Sequence, residues 1–303
     1  MKVARQTAMA WGAALSSAAV LALTGCAGVQ STQEEPGAAP TQSSGVPNAG
    51  ALAAAQAAAT VADCAAVQRP LPLRPGSAAS LPAASPVLPA FSLSSEKQSL
   101  PEGWQRWLIN PSKTPTDYTL DRIDDQTVLR ARADSSASGL FVPLGNPGEG
   151  RTPGKLRWSW KTAGIVADAD NARGAREDAP LRIFAAFDGD TSALPLKDQL
   201  MDEMARLVSG REMPYSTLMY IWGRERPEGT VIPNPHTDRV RMIVVDSGTG
   251  NANRWRCHER DLRDDYRKAF GKEPGKLLAI GLMTDTDNTK TKVEAWYGDI
   301  VLD

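Results

Sequence analysis

From Trp104 onward the apolar residues recur mainly at every second position. Leu156, Trp158 and Trp160 alternate with Arg157, Ser159 and Lys161, and Leu181, Ile183, Ala185 and Phe187 again fall two apart. Successive side chains of a strand point to opposite faces, so this spacing predicts sheets with one buried face. The same reading predicts strands over residues 127–133, 138–142, 217–222, 240–245, 254–258, 276–283 and 293–302, separated by Asn, Asp, Gly and Pro. Two stretches switch to helical spacing. Leu196, Leu200, Met204, Leu207 and Val208 share one face of a helix over residues 195–209, bounded by Pro195 and Gly210. A shorter helix starts at the N-cap candidate Asp261, carries Leu262, Tyr266 and Ala269, and stops before Gly271 and Pro274. About nine strands against two helices exclude alternating βαβ units. The expected fold is all-β dominated: an antiparallel β-sandwich, jelly-roll or galactose-binding-like, with two short helices.

Upstream of this region the composition changes twice. After Lys2 and Arg5, residues 8–23 are uncharged, a run too short for a span of about 20 residues but suited to a signal peptide. It ends in Leu23-Thr24-Gly25-Cys26, which resembles a bacterial lipobox, in which the cysteine is acylated and becomes the mature N-terminus. The expected organisation is a signal peptide over 1–25, a low-complexity tether over 26–95 and a folded domain over 96–303. The tether is rich in Ala, Pro, Ser, Gln and Gly and cannot build a core. About 70 such residues would reach roughly 45 Å from the lipid surface as a flexible coil. Ala27 follows the cysteine, rather than the Asp that resembles an inner-membrane retention signal, so the expected location is the outer membrane, facing the periplasm. Lys and Arg total 34 against 35 Asp and Glu, giving a net charge of -1 without a basic run, which excludes a phosphate-backbone partner such as nucleic acid.

Several residue groups could carry chemistry. Asp285 and Asp287, two apart after a strand, project to one side and could share calcium; the competing expectation is an Asx turn in which the same oxygens accept backbone N–H groups. An EF-hand is excluded, because Lys290 stands where that loop needs Gly and Trp296 where it needs Glu. Asp168, Asp170, Glu177 and Asp178 form an acidic loop, and a glycoside-hydrolysing pair would be Asp178 with Asp287 or Asp299. Pairing of these acids with Arg173, Arg176 or Arg182 is the alternative. Trp104, Trp107 and Trp296 are candidate sugar platforms, whereas alternation assigns Trp158 and Trp160 to the core. His236 and His258 lie too far apart for a zinc motif and read as structural, and Cys257 and His258, adjacent on a strand, face opposite ways. Cys64 and Cys257 are left to form a disulfide or to stay free thiols.

Ile232-Pro233-Asn234-Pro235, the run from Val240 to Gly248, Met283-Thr284-Asp285-Thr286-Asp287-Asn288-Thr289 and Ala295-Trp296-Tyr297-Gly298-Asp299-Ile300 resemble the bacterial domain-of-unknown-function family DUF3047, as do Asp178-Ala179-Pro180, Arg182 and Phe187-Asp188. The resemblance implies a secreted or envelope β-rich domain and carries over no site residue. The leading expectation is a lipid-anchored, non-catalytic domain that binds a glycan, peptidoglycan or another envelope component. A polysaccharide or peptidoglycan hydrolase using loop carboxylates and a structural or assembly lipoprotein are the alternatives.

Overall fold

A computed structural model describes residue 64 and residues 88–97, 99–108, 110–209 and 213–303. The signal peptide, Cys26 and most of the tether lie outside the described residues. Twelve strands form two sheets. The seven-stranded sheet runs β1 (Gln105–Trp107), β4 (Ala137–Pro143), β11 (Leu277–Asp285), β6 (Ala179–Phe187), β7 (Ser216–Gly223), β9 (Val240–Ser247) and β8 (Val231–Pro233), labels following chain order. The five-stranded sheet runs β10 (Arg256–Asp261), β5 (Lys155–Thr162), β12 (Lys292–Leu302), β3 (Gln126–Asp134) and β2 (Asp117–Ile123). Every pairing is antiparallel except β7 with β9.

The expected alternation sets the core. Leu156, Trp158 and Trp160 of β5 and Leu129 and Ala131 of β3 are buried against Leu181, Ile183, Ala185 and Phe187 of β6 in one cluster. Burying each large apolar side chain stabilises the fold by about 1.5–3 kcal/mol. Leu88 and Phe91 join the same cluster, so the core draws on residues upstream of the expected start at 96. The strands β1, β2 and β8 were absent from the sequence reading; β2 offers only Tyr118 and Leu120 as buried apolar residues, too few for a periodic signal.

Two local features shape the rim of the sandwich. Between β7 and β9, Ile221 pairs with Val244 but Trp222 pairs with Asp246, so Val245 is an extra residue and Asp246 turns to the core-facing side with Trp222. In β12 a second irregularity falls between Tyr297 and Ile300, where a Cβ on Gly298 would lie 2.1 Å from Ser159 Oγ. A side chain there would require the Ser159 hydroxyl to rotate away.

Helix α2 (Leu262–Phe270) is capped by Asp261, whose side chain accepts from the backbone of Arg263 and Asp264, and ends at Gly271 in the left-handed region. Leu262 and Tyr266 are buried, as its spacing implies. Helix α1 (Leu196–Ser209) occupies the expected span but presents a different face. Leu196 and Leu200 are 70% and 57% exposed, whereas Asp198 is buried and Asp202 accepts from Arg239 Nη1 at 2.7 Å. The buried Arg239 also donates to the carbonyls of Met213, Pro214 and Tyr215. A buried guanidinium without partners is costly, and Asp202 together with these carbonyls satisfies it.

Cys64 and Cys257 form a disulfide with a Cα–Cα distance of 5.4 Å. Cys257 pairs with Ser159 in the β10–β5 register, on the face away from the core, and Cys64 packs there with Val128, Trp255, Ile123 and Trp296.

Candidate functional site

The carboxylates singled out in the sequence converge in part. One oxygen each from Asp178, Asp285 and Asp287 lie within 4.8 Å of one another, and all three residues are buried. Each holds protein donors. Asp178 accepts from the backbone N–H of Asn288 and Thr289, at 3.3 and 2.7 Å, and from both of their side chains. Asp285 takes Arg182 through Nε at 2.9 Å and Nη2 at 3.0 Å, together with the Ala179 N–H at 3.1 Å. Asp287 is paired with Lys113, and Arg182 Nη1 reaches Glu177 at 3.0 Å. Burial pushes the Asp285 carboxyl up to about 7, against the pull of Arg182. The 288–289 turn is thus clamped by Asp178 from across the fold, not by a self-contained Asx turn. Calcium would have to displace Lys113 to reach the group, because Asp178 and Asp285 have both oxygens engaged. Asp299 is not one of this group; its carboxylate accepts from the backbone and hydroxyl of Ser92.

The three candidate platforms sit on different surfaces. Trp104 is 8% exposed, stacked on Phe91 at 5.0 Å, with its indole N–H on the Pro89 carbonyl. It is core, which corrects the expectation of an exposed platform. Trp107 is half-buried on β1, edge-on to Phe184 at 5.6 Å. Trp296 is half-buried on the outer face of the five-stranded sheet, where the Lys161 ammonium lies 4.6 Å over its ring and Asp121 accepts its N–H. The fold does not assemble these rings into one groove.

What the sequence reading missed lies along β10, the edge of the five-stranded sheet. Its register places Arg256 opposite Trp160, His258 opposite Trp158 and Arg260 opposite Leu156. Opposed residues share a face, so three polar side chains occupy the core-facing side at the rim. Behind them is Asp246, fully buried, which accepts from Trp160 Nε1, Arg256 Nε and His258 Nε2, each at 2.7 Å. Burial raises the Asp246 carboxyl, but the bonds from His258 and Trp160 and the charge of Arg256 outweigh it and hold it below the ordinary carboxylate range. An ionised carboxylate only accepts, so His258 carries a proton on Nε2. The imidazole lies over Trp158 at 5.1 Å and edge-on to Trp160 at 5.3 Å. Arg260 grips Asp265 through Nε at 2.7 Å and Nη2 at 2.5 Å, and the same carboxylate accepts from Tyr220 at 2.8 Å. Burial first, then the Asp265 charge, raises the Tyr220 phenol well above its usual value and keeps it a donor.

Arg256, His258 and Arg260 line a cleft of about 370 Å³ together with Glu228, Gly229 and Val244. The Arg256 side chain is 27% exposed, and its two terminal nitrogens have no partner among the described residues. Glu228 is exposed. Most of these N–H groups are spent on Asp246 and Asp265, so the polar rim offers a hydrophilic ligand chiefly the remaining N–H groups of Arg256 and the Glu228 carboxylate. His258 is packed on the core tryptophans and bonded to Asp246, in keeping with the structural role expected of it, and it also lines the cleft. Its position opposite Cys257 across the strand agrees with the alternation read from the sequence. A signal was present: Arg256 and His258 fall two apart in the strand predicted over 254–258, and Arg260, just beyond that predicted end, continues the polar spacing.

Among solved structures, a CBM29-2 mutant complexed with mannohexaose, from family 29 of the carbohydrate-binding modules, is 8% identical at a TM-score of 0.32, covering 73% of this chain and 92% of that one. The xyloglucanase domain of NopAA, a type three effector from Sinorhizobium fredii, in complex with cellobiose, is 8% identical at a TM-score of 0.35, covering 69% of this chain and all of that one, 100%. An exo-beta-agarase is 12% identical at a TM-score of 0.30, over 72% of this chain and 24% of the agarase. At these scores no ligand, reaction or residue role passes from them to this chain. No curated protein matches the chain. The family described as "Protein of unknown function (DUF3047)" matches over residues 102–301.

Proposed function

This chain belongs to the DUF3047 family, and we propose that it is a lipid-anchored glycan-binding protein of the cell envelope whose sandwich domain is non-catalytic. In this reading Cys26 carries the lipid, the chain between Cys26 and the crosslinked Cys64 spans the gap from the outer membrane, and the rim cleft takes the ligand. The observation that supports it is Arg256, whose Nε is held at 2.7 Å by the buried Asp246, beside His258 on the same acid, so that its remaining N–H groups are oriented before any ligand arrives. Donors ordered in advance lower the cost of fixing a hydroxyl-rich ligand. The carboxylates first considered for hydrolysis argue in the same direction, because Asp178, Asp285 and Asp287 are buried and paired and Asp299 is bonded to Ser92. An acid and a base that cleave a glycosidic bond must meet the sugar directly.

The test is retention of the full chain on immobilised envelope polysaccharides and purified peptidoglycan, with His258→Gln and Arg256→Gln in parallel. The expected result is retention on at least one glycan, weakened in both variants, with no release of soluble sugar. Retention on none, or retention indifferent to both substitutions, removes the reading. Soluble product whose release stops in Asp178→Asn or Asp287→Asn would establish the hydrolase instead. Anchoring is tested separately: wild type should partition with membranes and Cys26→Ser should not.

A further inference from the structure

Resting on the glycan reading, we infer that the rim cleft recognises an acidic sugar, a residue bearing one carboxylate among hydroxyls, which Arg256 meets end-on. The guanidinium is a planar fork of five N–H donors. Its Nε is tied to Asp246 Oδ1 at 2.7 Å, and the other Asp246 oxygen accepts from Trp160 and His258, so Asp246 has no freedom to release the arginine. The pair of terminal nitrogens has no hydrogen-bond partner among the described residues, and Arg256 lines the cleft. Two such nitrogens match the two oxygens of a carboxylate in parallel bonds.

The neighbours narrow the class. Arg260 is gripped in the same manner by Asp265, through Nε and Nη2, so its charge is already matched, as the charge of Arg256 is by Asp246. The cleft therefore has directional donors without a surplus of positive charge. A polyphosphate or a multiply charged anion gains little there, because the exposed Glu228 also lines the cleft and adds a negative charge that grows more repulsive with each charge on the ligand. A monoanion rich in hydroxyls is the ligand class that these features share. A uronic acid of an extracellular polysaccharide and the carboxyl-bearing muramic acid of peptidoglycan both present that chemistry.

The experiment is isothermal titration of the full chain with a galacturonic acid trisaccharide, its methyl ester, N-acetylmuramic acid, a neutral cellohexaose and inorganic phosphate, at low and high salt. The expected result is binding of at least one carboxylated sugar, which identifies the source, with a loss of about 10-fold or more on removal or esterification of the carboxylate. Arg256→Lys should lose a comparable factor, since an ammonium cannot form the paired bonds. Affinity should change by less than about 3-fold with salt, because few counterions are released. Glu228→Gln, at an exposed position, should tighten binding and guards against misfolding of the arginine variant. Binding of cellohexaose with equal or greater affinity, or displacement of the sugar by phosphate, overturns this inference while leaving the glycan reading intact. Failure of every sugar overturns both.

Discussion

Replacement of Asp246 by Asn tests the buried acid that organises the rim. The carboxylate accepts three bonds of 2.7 Å, from Trp160, Arg256 and His258. An amide has one acceptor oxygen and an NH2 that can only donate, so at least one of these donors would face another donor. Hydrogen bonds to a charged group contribute about 1.5–3 kcal/mol each, and a buried donor left without an acceptor costs about 1–3 kcal/mol. Arg256 is 27% exposed at its side chain and recovers part of its loss from water. The expected net cost near neutral pH is about 3 kcal/mol, equivalent to roughly 6–12 °C in melting temperature for a domain of this size. The pH dependence has a definite sign. Because folding holds the Asp246 carboxyl below its ordinary value of 3.8, the stability it contributes is fully present above that value and is lost as the pH falls through the lowered one. Urea denaturation of wild type and Asp246→Asn, near neutral pH and again below pH about 3, measures both quantities. The difference should shrink at acid pH. A cost below about 1 kcal/mol, or one that stays constant into acid, would refute the role assigned to this acid.

Arg182→Met should destabilise the fold by about 3–5 kcal/mol, because it strands Asp285 and Glu177 in the interior, and adding Asp285→Asn should recover part of that loss in a double-mutant cycle. Cys257→Ser opens a crosslink between residues 193 apart in sequence and should lower stability by up to about 5 kcal/mol in denaturant melts, with wild type responding to reductant by the same amount. Calcium should leave the melting temperature of wild type unchanged, since Lys113 already neutralises Asp287; Lys113→Met should gain a calcium-dependent rise, readable by scanning calorimetry with and without chelator.

Much of the fold could be read from the chain because its strands bury one face. The alternation at Leu156, Trp158 and Trp160 names the core side of β5 correctly, and Asp261 and Gly271 mark both ends of α2. Local patterns failed where a tertiary partner set the outcome. On α1 the buried Arg239 takes Asp202 as a partner, while Leu196 and Leu200 of the expected apolar face lie in solvent. Asp246 follows Val244 by two residues, so strict alternation would put both on one side; the extra residue Val245 reverses it, and no periodicity announces such a bulge. The convergence of Asp178 with Asp285 and Asp287 joins a loop before β6 to the end of β11, and Arg182 and Lys113, which settle its chemistry, come from two further places in the chain. Trp104 shows the converse: an aromatic outside any periodic run gave no indication that Phe91 and Pro89 would enclose it.

The most direct test of the central claim is a crystal structure of the full chain with a bound oligosaccharide selected by the retention assay. The account predicts ligand density along β10, within hydrogen-bonding distance of the Arg256 terminal nitrogens and in contact with His258. Density on the outer face of the five-stranded sheet against Trp296, with the β10 rim empty, would contradict it.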